Sequence, residues 1–224
     1  MRQSRLAAAF GYSSPMAEKP GLRERKKRET RRQILKAADE LFRTKGFASA
    51  TLEEIAAKAG VHKQTVLRYF GSKDEIAVAF RQVGLHNFRK GLLDPDRAAT
   101  VLEYWRDFIW ESARAVSRRG DVVRYTKLVE SEPALIAASF KIQMQYEDLL
   151  AAELSREAGV EPAHDLYARL LAAFLVGGNL TVMRMMLAND TLDRYVAAAL
   201  DVVDFAVRKF PSRRQWSALK TVTG

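Results

Sequence analysis

Residues 51–75, TLEEIAAKAGVHKQTVLRYFGSKDE, constrain the fold more than any other stretch of the 224. Thr51 and Glu54 fit a capping box, in which the hydroxyl accepts from an early backbone N–H and the carboxylate reaches back. Leu52, Ile55, Ala56 and Ala59 then recur at i, i+3, i+4 and i+7, one buried stripe on a two-turn helix. Gly60 has the backbone freedom to stop that helix, and Val61 is an apolar plug for the turn. Over the next helix, about 62–69, the balance inverts. Val66 and Phe70 face inward, while His62, Lys63, Gln64, Thr65, Arg68 and Tyr69 are left facing out. Gly71 ends this helix, and Ser72 with Glu75 repeats the capping box for the one that follows. The spacing predicts a helix-turn-helix whose second helix is short and polar enough to enter a major groove. Gln64 can bond adenine bidentately and Lys63 can reach guanine acceptors or a phosphate, while Tyr69 and Lys73 are expected on phosphates.

A polar helix beside an apolar one is ordinarily just a solvated face, so charge matters. Residues 1–90 hold 20 Lys and Arg against 9 Asp and Glu, whereas residues 91–224 hold 17 against 18. The net charge of +10 therefore lies on the side of the chain that carries the motif. A one-sided basic balance points to a polyanionic partner. The run RERKKRETRR, which includes Arg28, is read as a phosphate-contacting arm at the start of the first helix.

The stretch from about residue 28 to 76 resembles the TetR family of one-component transcriptional regulators. The resemblance rests on I-L-x-A-A-x-x-L-F-x-x-x-G-F, T-x-x-x-I-A-x-x-A-G-V and T-V-x-x-x-F-x-S-K-x-E, nearly fifty residues in register. Leu67 departs from it, standing where many relatives carry an aromatic residue near the DNA backbone. The resemblance implies an all-α protein of about nine helices, with a DNA-binding domain followed by a ligand-binding and dimerisation domain. It further implies a homodimer on a pseudo-palindromic operator, contacts from Arg28, Thr51, His62, Lys63, Gln64, Thr65, Arg68, Tyr69 and Lys73, and repression relieved by a small hydrophobic effector.

Helical periodicity extends throughout, and no window alternates as a strand does. The expected helices are 23–45, the pair already described, 73–90, 97–118, 121–131, 133–158, 162–188 and 191–209. Ile34, Ala37, Ala38, Leu41 and Phe42 form the stripe of the first, and Pro133 and Pro162 suit first-turn positions. The expected organisation is an N-terminal extension at 1–22, a DNA-binding domain at 23–72, a connecting helix and linker at 73–95, a regulatory domain at 96–210 and a tail at 211–224.

Aromatic residues gather in the second half. Tyr104, Trp105 and Phe108, with Tyr125, Phe140 and Met144, would serve a core equally well. Given the resemblance, they are candidates to line an effector pocket together with Phe174 and Asn179. The last two helices carry apolar stripes interrupted by small residues, and resemble the family's dimer-forming bundle. Leu170, Phe174, Gly177, Arg184, Val196, Leu200 and Val203 are the candidate interface.

Other classes find less support. There is no cysteine, and His62, His86 and His164 are too dispersed to suggest a metal site. No cofactor, phosphate loop or nucleophile–base–orienter grouping is expected. Leu6–Phe10 is too short for the core of a signal peptide, and Leu170–Met183 is 14 residues, short of the ~20 a membrane helix needs. A cytoplasmic location is expected. A basic architectural nucleic-acid-binding protein and, less favoured, a helical enzyme remain the alternatives.

Overall fold

The computed structural model describes residues 21–118, 127–189, 191, 194–213 and 215. The expected extension up to residue 20, the first part of the 121–131 helix and the tail beyond 215 lie outside the described residues. Every regular element among the described residues is helical. These are α1 (Leu22–Lys45), α2 (Leu52–Ala59), α3 (Lys63–Phe70), α4 (Lys73–Ala77), α5 (Ala79–Leu92), α6 (Val101–Arg118), α7 (Pro133–Glu157), α8 (Leu166–Ala188) and α9 (Tyr195–Lys209). A helical turn over 127–131 precedes α7, and a 3₁₀ turn, Pro162–His164, precedes α8.

The first three helices follow the sequence closely. Ile34, Ala37, Ala38 and Phe42 are the buried stripe of α1. Thr51 accepts from the backbone of Glu54 while the Glu54 carboxylate accepts from Thr51, so the capping box of α2 is complete. Ser72 caps α4 by accepting from the Glu75 backbone, but the Glu75 carboxylate is engaged by the side-chain amide of Gln82. That second box is therefore only half of what was expected.

Two expected helices are interrupted. The 73–90 helix breaks at Val78, whose φ of −99° and ψ of 6° separate α4 from α5. Ile76, Ala77, Val78 and Ala79 are all buried, and four successive residues cannot share one face of a regular helix. The turn redirects the chain so that each finds cover. The 162–188 helix likewise begins only at Leu166, because Asp165 leaves helical geometry to cap α8 through the Ala168 N–H. Its carboxylate is buried and paired with Arg213 at 2.6 and 2.8 Å, which ties the chain after α9 back to this corner. That pairing, with help from Ser155, holds the Asp165 carboxyl down to about 2.

The core divides in two, and it does so inside α5. Residues up to Leu85 pack with α1–α4, whereas Phe88 and Leu92 pack with α6–α9. Helix α7 belongs to both halves. Leu135 and Ile142 join the N-terminal core with Val129, while Leu150, Ala151 and Leu154 join the C-terminal one. By length and composition Leu166–Met186 would satisfy a bilayer, yet in the fold α8 packs against α7 and α9.

Candidate functional site

The recognition element is α3, and its orientation follows from two buried anchors. Val66 and Phe70 sit in the core, so the positions between them turn outward. His62, Lys63, Gln64 and Arg68 are exposed, and Thr65 and Tyr69 are half-buried. Leu67 is exposed among them, an apolar interruption in a polar row. Gly60 provides the turn, with φ of 68° and ψ of 32°, a left-handed conformation that costs a residue with a Cβ ~1 kcal/mol or more. His62 is the N-cap of α3 but makes no side-chain capping bond, so its imidazole is not committed to the helix end.

Several cations near α3 already have partners. Lys63 Nζ lies 2.6 Å from Glu53, clasping α3 to α2, and the hydrogen bond lowers the Glu53 carboxyl below its ordinary value. Arg68 lies over the Tyr69 ring. Arg31 covers the Phe70 ring at 4.8 Å, and Arg28 pairs with Glu24 one turn earlier on the exposed start of α1. Thr51 spends its hydroxyl on the α2 cap. Lys73 departs most from expectation. Its ammonium donates to the carbonyls of Phe47, Ala48 and Ala50 at 2.7, 3.2 and 2.9 Å and lies 4.4 Å from the Phe47 ring centroid. It turns inward to close the α1–α2 corner rather than outward to a phosphate, because that corner presents three carbonyls that no helix satisfies.

The aromatic candidates separate into groups. Tyr104, Trp105 and Phe108 gather with Tyr146 around Phe88, at ring-centroid distances of 5.8, 5.4, 4.9 and 5.1 Å from it. Tyr104 Oη donates to the Phe88 carbonyl, and burial pushes the Tyr104 hydroxyl up to about 12. Phe140 and Met144 do not join them. They are 56% and 47% exposed on the outer side of α7, whose inward positions are Leu135, Ser139 and Ile142. Phe174 meets the rings of Phe205 and Phe210. Tyr125 lies outside the described residues. Within the C-terminal half two buried polar atoms, Trp105 Nε1 and Asn179 Oδ1, have no hydrogen-bond partner among the described residues. One is a donor and the other an acceptor.

The proposed interface residues also separate. Leu170 is exposed, and a Cβ added at Gly177 would meet nothing within 4 Å, so both face away from the chain's own core. Val196 and Leu200 are half-buried. Val203 is fully buried between Ala199 and Ala206 on the inward stripe of α9, which removes it from any surface; Phe205 and Val207 are the exposed apolar residues there. Arg184 Nε donates to Glu130 at 2.7 Å, an intrachain pairing.

Arg81 and Glu130 had no sequence signal. Arg81, on α5 and largely buried, donates to Ser139 Oγ at 2.5 Å and approaches Glu130 at 3.8 Å. Burial lowers its pKa, opposed chiefly by Glu130. Glu130 thus lies between Arg81, beside the DNA-binding core, and Arg184 on α8. The three are 49 or more residues apart along the chain, so no local pattern could join them.

Comparisons with known proteins bear on both halves. The family model described as bacterial regulatory proteins, tetR family, matches residues 34–80, and that of the MftR C-terminal domain matches 101–208. The HTH-type transcriptional regulator TcmR of Streptomyces glaucescens is 32% identical over 187 residues, covering 77% of this chain and 80% of TcmR. The HTH-type transcriptional activator FasR of Mycolicibacterium smegmatis is 30% identical, covering 80% and 81%. Thermus thermophilus FadR, a repressor solved with lauroyl-CoA, superposes with a TM-score of 0.57 at 25% identity, over 82% of this chain and 96% of that one.

Proposed function

Because the chain belongs to the TetR family of DNA-binding transcriptional regulators, we propose that it is a homodimeric repressor that occludes a pseudo-palindromic operator and is released by a small hydrophobic effector. The observation that carries this reading is α3: a row of exposed polar side chains held outward by Val66 and Phe70, behind an α2 whose capping box is complete. Gln64 and Lys63 would read base edges, and His62, Thr65, Arg68 and Tyr69 would bond bases or phosphates beside them. Arg28 would reach the flanking backbone, while Thr51 and Lys73 act by holding the frame. Reading a base with Lys63 requires parting it from Glu53, which costs little because exposed ion pairs contribute only ~0–1 kcal/mol. Such a protein acts in the cytoplasm, where the operator is, and performs no catalysis.

The exposed apolar face of α8, with Leu166, Leu170 and the open Gly177, joins Phe205, Val196 and Leu200 of α9 in the dimer. It would hold two copies of α3 about 34 Å apart, one turn of DNA. Trp105 and Asn179 would meet polar atoms of the effector among the aromatic rings, since each has a hydrogen-bonding atom with no partner among the described residues. The test is selection of binding sites from randomised duplex DNA, followed by Gln64→Ala. The substitution should weaken the selected site by about 1–3 kcal/mol and leave random DNA nearly unaffected. Equal losses on both would remove Gln64 from the base readers, and failure to enrich any site would reject sequence-specific binding.

A further inference from the structure

A cavity of about 400 Å³ opens between the 127–131 turn and the C-terminal end of α8, lined by Lys127, Glu130, Ser131, Arg184 and Ala188. Its size falls in the range of small-molecule sites, roughly 300–1,000 Å³. Its charge is unbalanced. Lys127 and Arg184 are cationic, Arg81 stands behind the same wall within 3.8 Å of Glu130, and Glu130 is the acid all of them surround. Between the charges the wall is mostly hydrocarbon. Glu130 holds Arg184 at 2.7 Å but meets Arg81 only at 3.8 Å, so one carboxylate is divided between two guanidinium groups and fits the deeper one poorly.

We propose that this cavity binds the anionic head, a carboxylate or a phosphate, of an amphipathic ligand that displaces Glu130 from Arg184 and Arg81. A free oxyanion can approach both guanidinium groups with the geometry they favour, which Glu130, tethered to the 127–131 turn, does not reach. The exchange has a direct route to the DNA-binding half. Val129, next to Glu130, is buried in that half's core, and Arg81 lies on α5 and bonds Ser139 of α7. Releasing Glu130 loosens the link between α8 and the turn that Val129 anchors, which gives the ligand different affinities for the two arrangements, as any ligand-driven switch requires. The inference rests on the reading of the chain as a ligand-responsive regulator and names the effector's chemical class.

Calorimetry of the full chain with dodecanoate, dodecyl phosphate and uncharged dodecanol, all as monomers in solution, tests it. Either anion, or both, should bind at least tenfold tighter than dodecanol, and the stronger of the two identifies the head as carboxylate or phosphate. Glu130→Gln should tighten the preferred anion severalfold without changing dodecanol. Arg184→Gln should erase the preference while its helical circular dichroism stays native. Should that variant misfold, Lys127→Gln, at an exposed side chain, should reduce the preference about threefold. Equal binding of all three probes to the wild type, no binding of any, or an undiminished preference in a folded Arg184→Gln or Lys127→Gln would overturn the site. Operator binding by the unliganded protein is read alongside: if it persists while the probes fail, the regulator stands and only this site falls; if it is absent, the functional reading itself fails.

Discussion

Lys73→Met distinguishes a structural lysine from one that touches DNA, because the two roles move different observables. The substitution keeps the aliphatic stem and removes the ammonium that bonds the carbonyls of Phe47, Ala48 and Ala50. A hydrogen bond from a charged donor contributes ~1.5–3 kcal/mol net. Two of the three contacts, those to Phe47 and Ala50, are part-buried and the third is exposed. Taking the lower figure for the two sheltered bonds and nothing for the exposed one gives about 3 kcal/mol, before the Phe47 ring contact is added. For a chain of this size that is a fall in Tm of roughly 6–12 °C. Thermal melts followed by circular dichroism report the loss, and salt titration of operator binding reports phosphate contacts. The expected result is a large drop in Tm with an unchanged slope of log affinity against log salt. An unchanged Tm with a slope flatter by about one counterion would refute the inward role and return Lys73 to the phosphate backbone.

Asp165→Asn should destabilise the protein by about 2 kcal/mol near neutral pH, since the carboxyl sits at about 2 when folded against an ordinary 3.8. A lowered folded value means the contribution is complete above about pH 4 and lost as pH falls toward 2, so urea midpoints of variant and wild type should converge over that interval; a constant gap would exclude the Arg213 pairing as its source. Gly177→Arg should give a folded, helical monomer that no longer shifts operator DNA, whereas Gly178→Val should lower stability by about 1–3 kcal/mol, because a Cβ there would lie 2.7 Å from Val202 Cγ1. Sedimentation showing a dimeric Gly177→Arg with normal affinity would put the interface elsewhere. Leu135→Ala, at a fully buried position of α7, should cost about 2–5 kcal/mol and raise hydrogen exchange in α2 and α3; exchange increased only in α6–α9 would contradict the shared core.

The helix-turn-helix was legible because its determinants are local. A capping box, a two-turn stripe and a glycine at the turn all act within the ten residues 51–60, and Thr51, Glu54, Ile55, Ala56 and Gly60 do what their spacing implies. The break at Val78 was not legible, since apolar residues at 76–79 are compatible with a continuous helix until two separate surfaces must cover them. Phe140 and Met144 misled for a related reason: α7 carries apolar residues around its whole circumference, so composition could not reveal which side its neighbours cover. Val203 and Val207 are one turn apart on α9 and chemically identical, yet one is buried and the other exposed. The sequence places Lys73 on a phosphate, but its partners are carbonyls 23 to 26 residues earlier, a tertiary contact with no periodic trace. The Arg81–Glu130–Arg184 arrangement escaped for the same reason.

The division of α7 between two cores bears on how such a protein can be cut and recombined. Its 25 residues make a rod of about 37 Å, and the front half, with Leu135 and Ile142, covers Ile76, Val78 and Leu85 of the preceding half. A fragment ending in the Leu93–Thr100 connection would retain α1–α5 and leave that apolar surface bare to water, although the loop invites the cut. Chimaeras that join this reading head to another sensor must therefore carry the beginning of α7 along with the head, or supply a replacement of matching shape. Exchange of sensors between relatives is correspondingly easier downstream of Ile142 than at the loop, and the historical joints in such proteins should be sought inside a helix.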